Sequence, residues 1–91
     1  MPFYLQMGNI GSEVSRALKA KETGNEKRLD GAIVRALELF DLSLECHTGP
    51  KLKELCRARE EFCDYFCGNN EFKTDPVKMM RYYDAFVYGR L

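Results

Sequence analysis

Three clusters of helix-breaking residues divide this chain into four segments, each with the apolar spacing of an α-helix. The clusters are Gly24 with Asn25, Gly49 with Pro50, and residues 68–76. Glycine favours turns because it lacks a Cβ, and proline cannot donate the backbone hydrogen bond that a helix interior needs. We therefore expect an all-α fold, a small antiparallel bundle of three to four helices.

The breakers also predict where the helices begin and end. The second helix is expected over residues 26–46, where apolar residues form one broad face. The third is expected over residues 50–67, and the fourth over residues 76–89, with Asp75 as its N-cap. The length suits a single helical-bundle domain that covers residues 1–91.

The start of the first helix is left open by the sequence. Asn9 is a suitable N-cap for a helix from Ile10, but apolar residues extend the same pattern back to Pro2. Small residues share one face of this segment, and they weaken a helix locally. We therefore expect another helix to approach closely there, from the same chain or from a second subunit. The small residues are Gly8, Gly11, Ser12 and Ser15.

Charge and hydropathy restrict the classes of partner. The chain has 14 basic and 14 acidic residues and no formal net charge. Proteins that bind nucleic acid normally carry a basic excess, so we expect no nucleic-acid partner. No segment reaches the roughly 18 apolar residues of a membrane span, and the start of the chain does not resemble a signal peptide. We therefore expect no membrane partner and a cytoplasmic location.

The fourth segment is apolar on two nearly opposite faces. One face contains Val77, Met80, Val87 and Leu91, and the other contains Met79, Tyr82, Tyr83 and Phe86. Such a helix is packed on both sides, and in so small a domain we expect a homodimer or a partner protein. The alternative is that the tyrosines lie on the surface with hydrated hydroxyls. The candidate interface residues are Met79, Tyr82, Tyr83, Phe86 and, on the second helix, Leu42.

The third segment places an arginine on its apolar face. Arg59 lies near the middle of that stripe at about 100° per residue. A charge there indicates a buried ion pair, a ligand contact or a face that is not fully buried, and we expect the buried ion pair. If the face of the fourth segment that contains Val77 lies in the core, Asp84 is near its centre and pairs with Arg59. Asp41, on the second helix, is the alternative partner.

Four cysteines and one histidine are the right residue types for a zinc site. The cysteines are separated by ten, seven and four residues, which does not match the close pairs of structural zinc sites. We therefore expect no metal and no cofactor, and reduced thiols that pack as small buried side chains. The weak candidates for a ligand or metal site are Cys46, His47, Cys63 and Cys67.

Catalytic motifs are missing from the sequence. It contains no GxSxG turn, no GxxxxGK loop and no HExxH pair, and no arginine precedes His47 at the spacing of small helical RNases. We expect no catalytic residues and no enzyme. The leading hypothesis is a non-enzymatic protein–protein interaction module that self-associates. The alternative is a small-ligand or metal-binding protein that uses the four weak candidates.

Two runs of the sequence resemble known proteins. The run ALKAKETGNEKRLDGAIVRALELF, residues 17–40, resembles the helical hairpins of tetratricopeptide-like and MIT-like domains. Those hairpins bind partner helices or peptides, so the resemblance implies an interaction role. No repeat of about 34 residues recurs, which excludes a repeat array. The run LKELCRAREEFCDYF looks like short uncharacterised bacterial proteins of the clostridial kind, and this likeness implies no activity and no functional residues.

Overall fold

Four α-helices make up most of the computed structural model, which describes residues 1–88. The helices are α1 Phe3–Thr23, α2 Glu26–Cys46, α3 Gly49–Cys67 and α4 Pro76–Tyr88. α1 is central, since it packs against both α2 and α4, while α3 packs against α2. The predicted all-α bundle is confirmed, and residues 1–88 contain no strand. Gly89, where α4 was predicted to end, and Leu91, which was predicted on one apolar face of α4, lie outside the described residues.

The turn between α1 and α2 follows from its sequence. Gly24 ends α1 with a left-handed φ of 73°, a conformation that glycine adopts at little cost. The amide of Gly24 then bonds to the carbonyl of Lys21, and that of Asn25 to Ala20, as expected for a glycine helix end. The side-chain oxygen of Asn25 accepts a hydrogen bond from the amide of Arg28 at 3.1 Å. One Gly-Asn pair therefore ends α1 and caps α2.

α1 begins at Phe3, so the earlier of the two predicted starts is the observed one. The amide of Gln6 bonds to the carbonyl of Pro2 at 3.1 Å. Met7 and Ile10 are both fully buried, so the apolar residues before Asn9 continue the same core stripe. Burial of this stripe favours the longer helix over a start at residue 10.

α1 and α4 are antiparallel and approach each other closely at two glycines. A Cβ added to Gly11 would lie 2.7 Å from the Cβ of Tyr83, and one added to Gly8 would lie 3.3 Å from Cγ2 of Val87. The predicted close approach is therefore confirmed at Gly8 and Gly11, and the approaching helix belongs to the same chain. Ser12 and Ser15, the other two small residues of that face, are exposed. The largest fully buried side chains are Phe40, Phe62, Met7, Ile10, Leu55 and Val14.

The loop over residues 68–75 is held by two carboxylates. Asp64 accepts hydrogen bonds from the amides of Glu71 at 2.8 Å and Phe72 at 3.1 Å. Asp75 accepts one from the amide of Val77 at 2.9 Å, which confirms the predicted cap. These bonds hold the loop that connects the end of α3 to the start of α4.

α4 turns its aromatic face toward the core. Met79 and Tyr83 are each 2% exposed, and Tyr82 and Phe86 pack against the core residues. Of the five candidate interface residues, Met79 and Tyr83 are thus buried in the bundle, Tyr82 and Phe86 are partly buried, and Leu42 is exposed. Aromatic side chains bury more apolar area than valine, so burying this face gives the larger hydrophobic gain.

Candidate functional site

The opposite face of α4 is only partly covered by the other helices. Val77, Val87 and Tyr88 are 58%, 50% and 67% exposed. Arg81 is also exposed on this side, and Met80 and Asp84 are half-buried. Neighbouring large apolar side chains that remain in water are a common property of interaction surfaces. We call the surface formed by these six residues the outer face of α4.

A groove of about 650 Å³ runs beside this face, between α4 and the C-terminal ends of α1 and α3. Leu18 of α1, Tyr65 of α3 and Met80 of α4 contribute its apolar walls. Lys21 Nζ lies 4.1 Å from the centroid of the Tyr65 ring, a distance typical of a cation–π contact. We call this the Tyr65 groove. Its charged lining residues are Lys21, Arg81, Glu22 and Asp84.

A second groove, of about 680 Å³, lies between α3 and α4, whose backbones approach each other at few points. Tyr82 lines this groove and donates a hydrogen bond to Oε2 of Glu54 at 2.7 Å. Burial, followed by this bond to a carboxylate, raises the pKa of Tyr82 far above its usual value. Burial, with the charge of Glu61, also raises the pKa of Tyr83. Both phenols stay protonated at neutral pH, so neither acts as a base there.

Arg59 forms an ion pair with Asp41, the alternative partner, and not with Asp84. Its Nε lies 3.2 Å from Oδ1 of Asp41, and the two side chains are 38% and 62% exposed. The pair with Asp84 required the face of α4 that contains Val77 to lie in the core, whereas Val77 and Val87 of that face are exposed. α3 centres its buried face on Leu55 and Phe62, so Arg59 lies at the edge of the core.

Loss of the Arg59–Asp41 pair is expected to cost little. Arg59→Met and Asp41→Asn should each lower the free energy of unfolding by less than about 1 kcal/mol, because water screens an exposed pair. A double-mutant cycle in urea measures the coupling between the two side chains, which we expect to be under about 0.5 kcal/mol. A coupling above about 2 kcal/mol would instead show a buried pair in solution.

The weak metal candidates do not come together in one cluster. Cys46 donates to the carbonyl of Leu42 at 3.3 Å, and Cys67 is exposed at the end of α3. His47 shares a hydrogen bond through Nε2 with Gln6 and packs edge-on against the ring of Phe3. Within residues 1–88, no group of three or more histidine, cysteine, aspartate or glutamate side chains is placed to hold a metal ion.

The cysteines are less buried than the sequence predicted. All four are free thiols, Cys46, Cys56 and Cys67 are exposed, and only Cys63 is half-buried. The cysteines of α3 lie on the flank of its buried face, which explains the difference. Burial raises the pKa of Cys63, while the charge of Arg59, whose Nη1 lies 3.9 Å from the sulfur, acts in the opposite direction. The thiol form therefore dominates at neutral pH.

A buried carboxylate, which was not among the residues predicted from the sequence, joins α1 to α2. Glu13 is 3% exposed, and its Oε2 accepts a hydrogen bond from Nε of Arg35 at 2.7 Å. Its other oxygen accepts one from Arg16. Burial raises the pKa of Glu13, but the hydrogen bonds and charges of the two arginines outweigh it and lower the pKa overall. The sequence signal for its burial is its position three residues after Ile10 and four before Ala17, which places Glu13 on the buried stripe of α1.

Comparisons with known proteins add no further assignment. The chain matches no protein-family model, no curated protein and no solved structure. None of the helices within residues 1–88 is long and apolar enough to cross a membrane. The interpretation of the outer face of α4 therefore rests on its geometry and chemistry.

Proposed function

We propose that this protein is a non-enzymatic interaction module that self-associates through the outer face of α4. The observation that carries the proposal is the two-sided apolar character of this helix. Met79 and Tyr83 pack one face into the core, while Val77, Val87 and Tyr88 remain at least half exposed on the other. A second molecule that covers these side chains would remove them from water and gain hydrophobic free energy.

Two further features support self-association. The apolar walls of the Tyr65 groove extend the surface beyond α4 itself, as in interfaces that hold a side chain of the partner in a pocket. The chain has no formal net charge, so two copies experience little overall repulsion. The likeness of residues 17–40 to hairpins that bind helices points to the same class of function. We also propose a cytoplasmic location.

A catalytic role has less support from the side chains that most often act in catalysis. The single histidine shares a hydrogen bond with the amide group of Gln6, and Cys63 has a raised pKa. A metal or small ligand at Cys46, His47, Cys63 and Cys67 also has less support, because no three of these side chains are placed together to hold one. The interaction role is therefore the better proposal.

Replacing Val77 by aspartate should weaken self-association. A carboxylate in an apolar contact must lose its hydration on binding. We expect the dissociation constant of the dimer to rise at least about tenfold, which corresponds to roughly 1.4 kcal/mol. Sedimentation equilibrium or light scattering over a wide concentration range measures this constant.

Val34→Asp is the matched control, since Val34 is 54% exposed on α2 and Val77 is 58% exposed on α4. This variant should associate as the unaltered protein does. If Val34→Asp weakens association and Val77→Asp does not, the interface lies on α2, where Leu42 is 60% exposed. A protein that stays monomeric at all concentrations contradicts self-association.

A further inference from the structure

The central residues of the outer face of α4 have the spacing of a coiled-coil seam. Val77, Arg81, Asp84 and Tyr88 follow one another at intervals of four, three and four residues. Intervals that alternate between four and three residues keep one line of side chains toward a partner helix. Val77, Arg81 and Tyr88 are exposed and Asp84 is half-buried, so most of the seam is open to a partner.

The charges at the centre of the seam discriminate between possible partner arrangements. In a parallel pair of α4 helices, Arg81 would face Arg81 and Asp84 would face Asp84, and both contacts are repulsive. In an antiparallel pair with its two-fold axis between residues 82 and 83, Arg81 faces Asp84 of the second copy, and the reverse contact forms as well. Polar residues in an apolar seam set register and orientation in this way.

The same register places Tyr88 of the second copy opposite Val77, because the two residues are equally far from the axis. Val77 and Met80 line the Tyr65 groove, so the arriving ring would lie next to the apolar walls of this groove of about 650 Å³. The ammonium group of Lys21, which already lies over the Tyr65 ring, can also contact the ring of the arriving Tyr88 or donate a hydrogen bond to its hydroxyl. Since the pair is symmetric, each copy would place one tyrosine beside the groove of the other.

We propose that the partner of the outer face of α4 is a second copy of this chain, bound antiparallel with Arg81 opposite Asp84 in two equivalent ion pairs. The proposal rests on the proposed function and specifies its geometry. Each groove is then completed by Tyr88 of the other copy. This arrangement joins the exposed aromatic residue, the cavity and the opposite charges in one symmetric contact.

Charge reversal tests the register. Arg81→Glu places a carboxylate opposite Asp84 in both contacts, and Asp84→Lys places an ammonium group opposite Arg81. Each single variant should raise the dissociation constant of the dimer about tenfold or more, because two attractive contacts become repulsive. The double variant Arg81→Glu/Asp84→Lys restores opposite charges and should bind within about threefold of the unaltered protein. An equal mixture of the two single variants should form a heterodimer in which one contact joins the two introduced charges and the other joins the two original ones, so both are attractive.

Controls separate this register from the proposed function. Lys27→Glu, an exposed reversal on α2, should leave the dissociation constant unchanged, and circular dichroism confirms that each variant is folded. In a parallel dimer the single variants would bind no worse than the unaltered protein, and that result overturns the register. A double variant as weak as the single ones overturns it too. If the register is overturned but Val77→Asp still weakens a dimer, the proposed self-association holds without the antiparallel register. If the unaltered protein never dimerises, both the self-association and the register are contradicted.

Discussion

Replacing Gly11 with valine is expected to lower the free energy of unfolding by about 3 kcal/mol, although glycine is a poor helix former. A Cβ at this position would lie 2.7 Å from the Cβ of Tyr83, closer than two carbon atoms can pack. The Cβ of Tyr83 is next to the backbone, so relief requires α4 itself to move away from α1. Such a movement disturbs the packing of a side chain that is 2% exposed.

Alanine at two positions separates this clash from the effect of helix propensity. Gly11→Ala should still lower the free energy of unfolding by about 1 to 2 kcal/mol, because the clash exceeds the gain of about 1 kcal/mol from propensity. Gly8→Ala meets only Cγ2 of Val87 at 3.3 Å, and that exposed side chain can rotate. This control should be neutral or stabilising by up to about 1 kcal/mol. Urea unfolding at low protein concentration measures all three variants, and equal effects at both glycines would contradict the close approach.

The helices were predictable because their ends depend on local chemistry. Gly24 and Asn25 end one helix and cap the next through bonds within a few residues, and Asp75 caps α4 in the same way. The small residues of α1 also predicted a close helix contact. Both results follow from backbone geometry, which short stretches of sequence determine.

The orientation of α4 could not be predicted in this way, because both of its faces are apolar. The choice depends on which face fits the surface made by α1 and the other helices, and this surface exists only after packing. Tyr83 fits against Gly11, so the aromatic face turned inward and Val77 turned outward. The observed partner of Arg59 differs from the predicted one for the same reason. Asp84 lies on the same outer side of α4 as Val77, so Arg59 pairs with Asp41 instead.

Removing both cations around Glu13 is expected to destabilise the fold more than removing Glu13 itself. Arg16→Met/Arg35→Met leaves a buried carboxylate without an ion-pair partner and should lower the free energy of unfolding by about 3 to 5 kcal/mol. Glu13→Gln keeps the shape and leaves two arginines whose side chains are 66% and 55% exposed to water. That variant should lose only about 1 to 2 kcal/mol. Urea unfolding at pH 7 compares the two, and equal losses would mean that Glu13 is hydrated in solution.

The pH dependence gives an independent test, because the two arginines determine the sign of the effect. In the unaltered protein the pKa of Glu13 is lowered from its ordinary 4.5, so its stabilisation is complete above that value and is lost as the pH falls through the folded pKa. Without the arginines only burial remains, which raises the pKa. The Arg16→Met/Arg35→Met variant therefore bears the full cost of a buried, unpaired carboxylate at neutral pH. That cost falls as the pH is lowered and Glu13 takes up a proton. The stability difference between the two proteins should therefore narrow from pH 7 toward pH 4. Adding Glu13→Gln to both should make that difference independent of pH, and a gap that stays constant without this substitution would show that Glu13 does not carry the effect.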